Sequence, residues 1–213
     1  MITVLLSVTA VIAYFLGGLD VPQLCCSRFL EKNLRAYGKG QRSYEAFYRE
    51  NGPKGAALVY VPEILKIGLA VLIGGWLLGI KGHADVGRSF ALFCLIMGAV
   101  FPSSHGLVGG RGIKELLVGM LFVNPTAGIF TLAVFAGVLA LSKYISLAGL
   151  CAGAAAILGT WVFVETRLAV LMSLFCAIII TVRHISHIRR MINRTEPKLQ
   201  TKKDLSYKFD EDF

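Results

Sequence analysis

Gly109-Gly110-Arg111-Gly112 stands directly before an apolar run that begins at Ile113. Glycines let backbone N–H groups approach an anion, and a following helix N-terminus adds positive potential. A guanidinium meets phosphate with two parallel hydrogen bonds. The four residues therefore read as a phosphate cradle. A flexible glycine turn with a cationic membrane anchor accounts for the same residues.

Two further clusters carry chemistry of the same kind. In RAYGKGQRSYEAFYRENGPKG (35–55), Gly38, Lys39 and Gly40 form a second glycine-bounded cation, followed by Arg42 and Arg49. Lys39, Arg42 and Arg49 suit phosphate. An amphipathic surface helix from about Ser43 to Glu50, capped by Ser43 and stopped at Asn51-Gly52, fits the same stretch. In VRHISHIRRMINRTEPKL (182–199), helical spacing places His184, His187 and Ile188 on one face, and Arg183, His187 and Arg190 on another. Two histidines three apart can ligate metal, but no third ligand accompanies them, so no metal is expected. A basic helix end with snorkelling arginines is the plain alternative. Glu63 and Lys66 stand three apart inside an apolar run, where they can pair on one helix face. An ionisable residue in a membrane segment points to function by default; a structural ion pair near the interface is the other reading.

The elements that must position these clusters are hydrophobic helices. Of 213 residues, 55% are hydrophobic and 16% charged, whereas soluble domains carry about 25% charge. The composition excludes a soluble globular enzyme. Apolar segments run at about Ile2–Leu24, Ala56–Ile80, Val86–Pro102, Ile113–Val123, Ala127–Leu141, Ile145–Val164 and Ala169–Val182. The fourth is short for a bilayer crossing of about 20 residues, and Asn124-Pro125 ends it. The expected fold is all-α: a polytopic membrane bundle of about seven segments, or five full spans if the short ones are re-entrant. The first segment has no charged n-region and no A-x-A-like site, so a retained helix is expected rather than a signal peptide.

Net charge is +9, concentrated in loop 25–54, in loop 98–115 and in the tail after Arg183. With seven segments all three fall on one side, which the positive-inside rule makes the cytoplasm, with the N-terminus outside. Residues 1–199 are expected to form a single integral membrane domain and 200–213 a flexible cytoplasmic tail. Anionic lipid is the partner this charge suggests. No basic stripe interleaves with aromatics, so nucleic acid is not expected. The cysteines Cys25, Cys26, Cys94, Cys151 and Cys176 lack zinc-site spacing and are read as reduced and structural.

Three glycine-rich or basic motifs, in this order on this helix plan, resemble the bacterial acyl-phosphate:glycerol-3-phosphate acyltransferases. In the third motif, HISHIRRMINRTE is similar to the family's H-R-x-N-I-x-R-L-x-x-G-x-E through His184, Ile188, Arg190 and Glu196; Ile185, His187 and Arg194 depart. In the second, the family's G-H-x-F-P-x-F-x-x-F-K-G-G-K-G-V-A-T is met by Gly98, Phe101, Pro102, Gly109, Gly110 and Gly112, with Arg111 in place of lysine. Ala99 stands for the family histidine, Val108 for its first lysine, and Lys114-Glu115 for its Ala-Thr. In the first, GKGQRSYEA replaces G-S-G-N-x-G-A-T-N, and Gly38, Gly40, Arg49 and Gly52 keep their places.

The resemblance implies a bacterial plasma-membrane enzyme of phospholipid synthesis. It would move a fatty acyl group from acyl phosphate to the 1-hydroxyl of glycerol 3-phosphate, giving lysophosphatidate, with no cofactor. It implies that Gly38, Gly40, Arg49, Gly109, Gly110, Arg111, Gly112, His187 and Arg190 bind substrate, and that Lys39, His184 and Glu196 occupy catalytic positions. The substitutions fall on polar positioning groups, at Lys39, Ala99, Val108 and His187, and largely spare the phosphate-binding ones. A non-catalytic or substrate-shifted paralogue that binds lipid phosphate or a membrane partner is the alternative.

Overall fold

The computed structural model describes residues 1–29, 41–103 and 109–193, the side chains at 22, 26–27, 29, 41–51, 56, 58 and 191–192 excepted. These residues form the helices α1 (Ile2–Gly18), α2 (Val21–Phe29), α3 (Gln41–Gly79), α4 (Ala84–Val100), α5 (Ile113–Val123), α6 (Pro125–Ser142), α7 (Ile145–Phe163), α8 (Arg167–Arg183) and α9 (Ile185–Ile192). No strand occurs among them. In hydrocarbon every backbone N–H and C=O must be met within its own segment, and apolar helices do this. Gly52–Gly79, Pro125–Ser142 and Ile145–Phe163 are long and apolar enough to cross a bilayer, and Ile2–Gly18 is a shorter apolar helix. Ala84–Val100 and Arg167–Arg183 are 17 residues each.

The first apolar run is shorter than its composition suggests. α1 ends at Leu19, which is extended, and Asp20 restarts the chain as α2, with its carboxylate oxygen accepting from Gln23 N at 3.4 Å. The surface helix expected at 43–50 begins at Gln41. It joins the next apolar helix across Gly52, whose φ of 63° and ψ of −156° break the helical path before Pro53. Pro53 is then well placed, since a first-turn proline has no N–H to lose. The expected start of the third run at Val86 lies inside α4.

Hydrophobic segments alternate between two ends of the bundle. At one end Arg88 Nη1 of α4 donates to Val123 O, which closes α5, and Asn124 Nδ2 donates to Phe163 O, which closes α7. Asn124 also caps α6 by accepting from Ala127 N at 3.1 Å, with Pro125 in the first turn. At the other end Tyr14 Oη of α1 donates to Phe101 O at the end of α4 (2.7 Å), and Lys66 Nζ of α3 donates to Leu19 O (3.1 Å). α5 has 11 residues, about 16 Å of helix. It runs beside α4 from the level of Ile96 and Val100 to that of Arg88. The Gly112 turn therefore sits below the end of α4, inside the bundle.

Lipid tails are as apolar as leucine, so burial does not drive helix association here; close packing does. Leu95, Ile96, Val100, Leu116, Met120 and Ile180 are fully buried around α4 and α5. α1 and α4 touch through Gly17 and Gly98: a Cβ on Gly98 would overlap Tyr14 O, and one on Gly17 would overlap Leu95 O. Gly98→Leu should force the two helices apart. A cost of about 1–3 kcal/mol or more is typical of such overpacking, so thermal melting in detergent should show Tm lower by about 5–10 °C. An unchanged Tm would contradict this packing.

Candidate functional site

The second end of the bundle gathers the chemistry. After α4, Gly109 N donates to Val100 O (3.1 Å) and Gly110 N to Ala99 O (2.9 Å). These two amides, read from sequence as anion donors, are spent in folding the loop back onto the last turn of α4. A Cβ at Gly109 would overlap Ala99 O, so glycine is needed there for close approach. The loop then turns through Gly112, which is left-handed at φ 80° and precedes α5 without a side-chain cap. A Cβ at Gly112 would press on Ile96, Val100 and Ile180 at 3.2–3.3 Å. The first-turn amides of α5 have no intrahelical acceptor, so the positive end of the helix lies at this turn. Arg111 is exposed at its tip.

α8 and α9 bring the histidine–arginine segment to the same turn. Arg183, in the last turn of α8, donates from Nη2 to Gly109 O at 2.9 Å, with Gly110 O at 3.4 Å. Its guanidinium carbon stands 5.9 Å from the Phe101 ring centroid. Ile180, one turn earlier, faces Gly112. His184 sits at the α8–α9 joint, fully buried, and its Nδ1 lies 2.7 Å from Ile180 O. A carbonyl only accepts, so Nδ1 carries the hydrogen and the ring is held in one orientation. His187 is buried next to it, with ring centroids 5.6 Å apart. Arg190 Nη2 is 3.1 Å from both ring nitrogens of His187. One donor equidistant from both cannot lie along either lone pair, so the contact is guanidinium against ring rather than one directed hydrogen bond. No group of three or more His, Cys, Asp or Glu suited to a metal occurs among the described residues.

Of the residues singled out in the sequence, Gly109, Gly110, Arg111, Gly112, His184, His187 and Arg190 lie at this end. Arg49 is within the first part of α3, and its side chain lies outside the described residues, as do Gly38, Lys39, Gly40 and Glu196 and the whole of the tail. Glu63 and Lys66 do pair, at 2.9 Å, and both are buried. Sequence reasoning missed Arg183 as a site residue. It is 74 positions from Gly109, and no local spacing joins the two.

The family model for glycerol-3-phosphate acyltransferase matches residues 7–194. The chain belongs to the glycerol-3-phosphate acyltransferase family. A family relative from Clostridioides difficile (strain 630), a glycerol-3-phosphate acyltransferase, is 29% identical over 198 residues, covering 92% of this chain and 97% of its own. The glycerol-3-phosphate acyltransferase of Bacillus subtilis (strain 168) is 26% identical, with 92% and 98% covered. The fold is similar to two crystal structures of PlsY (YgiH), an integral membrane glycerol 3-phosphate acyltransferase. They are its glycerol 3-phosphate form (TM-score 0.74, 23% identity) and its lysophosphatidic acid form (TM-score 0.75, 22% identity). Each comparison covers 94% of this chain and 98% of the other. The all-helical membrane fold read from the apolar runs is thus the fold of this acyltransferase family.

Proposed function

We propose that this protein is a multi-pass enzyme of the bacterial plasma membrane that acylates the 1-hydroxyl of glycerol 3-phosphate with acyl phosphate as donor. The observation that carries the reading is the Arg183–Gly109 contact. It joins the second motif of an acyltransferase family to the residue directly before the third, at one end of the bundle. The chemistry asks little of the protein beyond placement. Acyl phosphate is a mixed anhydride with a good leaving group. Attack by the glycerol hydroxyl forms the ester bond, the carbonyl carbon–oxygen bond to phosphate breaks, and inorganic phosphate departs. Two anionic substrates must be held close in spite of their repulsion, and fixing their geometry supplies much of the rate. Arg111, with Arg49, is assigned to phosphate, and the N-terminus of α5 offers amides to the oxyanion that develops. Buried His184, oriented by Ile180 O, and His187, in contact with Arg190, are assigned to the attacking hydroxyl. The attacking hydroxyl's proton passes to a substrate phosphate oxygen.

Donor identity tests this reading. Purified protein in lipid vesicles, given glycerol 3-phosphate, should form lysophosphatidate with acyl phosphate and not with an acyl thioester of the same chain. Product from the thioester alone would overturn the donor assignment. A non-catalytic paralogue would yield product with neither.

The motif end is assigned to the cytoplasm, with the N-terminus outside. Single cysteines introduced at positions 84, 110 and 200 of a cysteine-free protein report this. In intact cells an impermeant maleimide should label position 84 and spare 110 and 200. Labelling at 110 from outside would reverse the orientation.

A further inference from the structure

The first turn of α5 carries Lys114 and Glu115 where the family pattern has Ala-Thr, and the proposed chemistry uses neither. Lys114 Nζ lies 3.3 Å from Glu63 Oε1 and 3.9 Å from Glu115 Oε1. Glu63 Oε1 also binds Lys66 Nζ at 2.9 Å, and Lys66 Nζ donates to Leu19 O at 3.1 Å. A chain of alternating charge, Glu115–Lys114–Glu63–Lys66, thus runs from the turn after Gly112 to the end of α1. Glu63, Lys66 and Glu115 are only 7%, 6% and 4% exposed, and the Lys114 side chain is 44% exposed. Folding alone does not call for the outer half of this chain. Lys66 already neutralises Glu63 within α3, and Glu115 Oε2 is buried with no hydrogen-bond partner among the described residues. Such a group costs stability, and in a native structure it calls for an explanation.

Both ends of the chain reach segments that lead into the proposed phosphate loops. Leu19 precedes α2 and the first basic loop, and Lys114 directly follows Gly109–Gly112. On the reading of the site given above, we propose that Glu63 is a positioning residue that acts through Lys114. It fixes the height of the Gly109–Gly112 turn against α3, and through Lys66 it ties that turn to the α1–α2 break, so that the turn and the break are registered to one buried carboxylate. The chain's departure from the family pattern at 114–115 is then an added tether.

Hydrogen exchange by mass spectrometry on the full-length protein in nanodiscs tests this, with steady-state kinetics beside it. Lys114→Gln leaves the Glu63–Lys66 pair intact and should keep Tm. It should speed exchange in peptides spanning 109–118, leave α6 and α7 unchanged, and raise KM for glycerol 3-phosphate by about three- to thirtyfold with a smaller change in kcat. Glu63→Gln should loosen 109–118 and raise KM more strongly but also lower Tm, because it strands buried Lys66, and Lys114→Arg should restore both readouts. Unchanged exchange at 109–118 in both glutamine variants would overturn the proposal, as would, in Lys114→Gln, faster exchange throughout the bundle or faster local exchange with KM unaltered. If the parent protein transfers no acyl group, the acyltransferase reading fails while the exchange arm still decides the tether.

Discussion

Arg111→Ala should raise KM for glycerol 3-phosphate by roughly 10- to 100-fold, the scale of losing a charge-assisted hydrogen bond to phosphate. Arg111 is exposed at the tip of a turn whose two preceding amides, Gly109 N and Gly110 N, are bonded to Val100 O and Ala99 O. The turn therefore leans on the guanidinium and on the positive end of α5 to hold an anion. Lysine at 111 should recover part of the loss, since it supplies the charge but not the two-pronged geometry. Fold and Tm should not change, because the side chain is exposed. Steady-state kinetics in both substrates check this; an unchanged KM for each would remove Arg111 from the phosphate site.

Arg183→Ala should lower kcat/KM by roughly 10- to 100-fold, an effect that small displacements of reacting groups produce. One guanidinium nitrogen, Nη2, donates to both Gly109 O and Gly110 O, so it sets where the glycine turn sits relative to His184 and His187. The two carbonyls are partly exposed and water can take over their hydrogen bonds, so stability should fall little while catalysis falls much. Arg183→Lys should rescue in part, because an ammonium can also donate to both carbonyls from one nitrogen but lacks the planar guanidinium that stands by Phe101. Kinetics paired with thermal melting separate the two effects. Full activity in Arg183→Ala would show that the turn does not depend on this contact.

What the sequence made legible follows from local physics. Apolar runs mark helices wherever backbone must satisfy itself in lipid. The Gly112 turn, the Asn124-Pro125 boundary and the Gly52 break were each visible from residue type, because a left-handed turn, a cap or a helix stop is decided by one or two side chains. The break at Leu19-Asp20 was not, since the apolar run reads on to Leu24 past a single charged residue, Asp20. The long-range contacts escaped for a different reason. Arg183 meets Gly109, and Lys114 meets Glu63, across separations that only packing determines; in sequence each looks like an ordinary cation at a helix end. The Glu63–Lys66 pair was legible because i,i+3 spacing on a helix makes it local. The spent amides of Gly109 and Gly110 were also hidden, because glycine type says that an amide is accessible and not what has already bonded to it.

Acyl transfer is assigned to one end of this bundle. Its most direct test is purified protein supplied with acyl phosphate and isotopically labelled glycerol 3-phosphate. The result predicted is labelled 1-acyl lysophosphatidate with one inorganic phosphate released per ester formed, sharply reduced in Arg183→Ala. Binding of glycerol 3-phosphate without any ester would contradict it and would leave a membrane protein that holds lipid phosphate without transforming it.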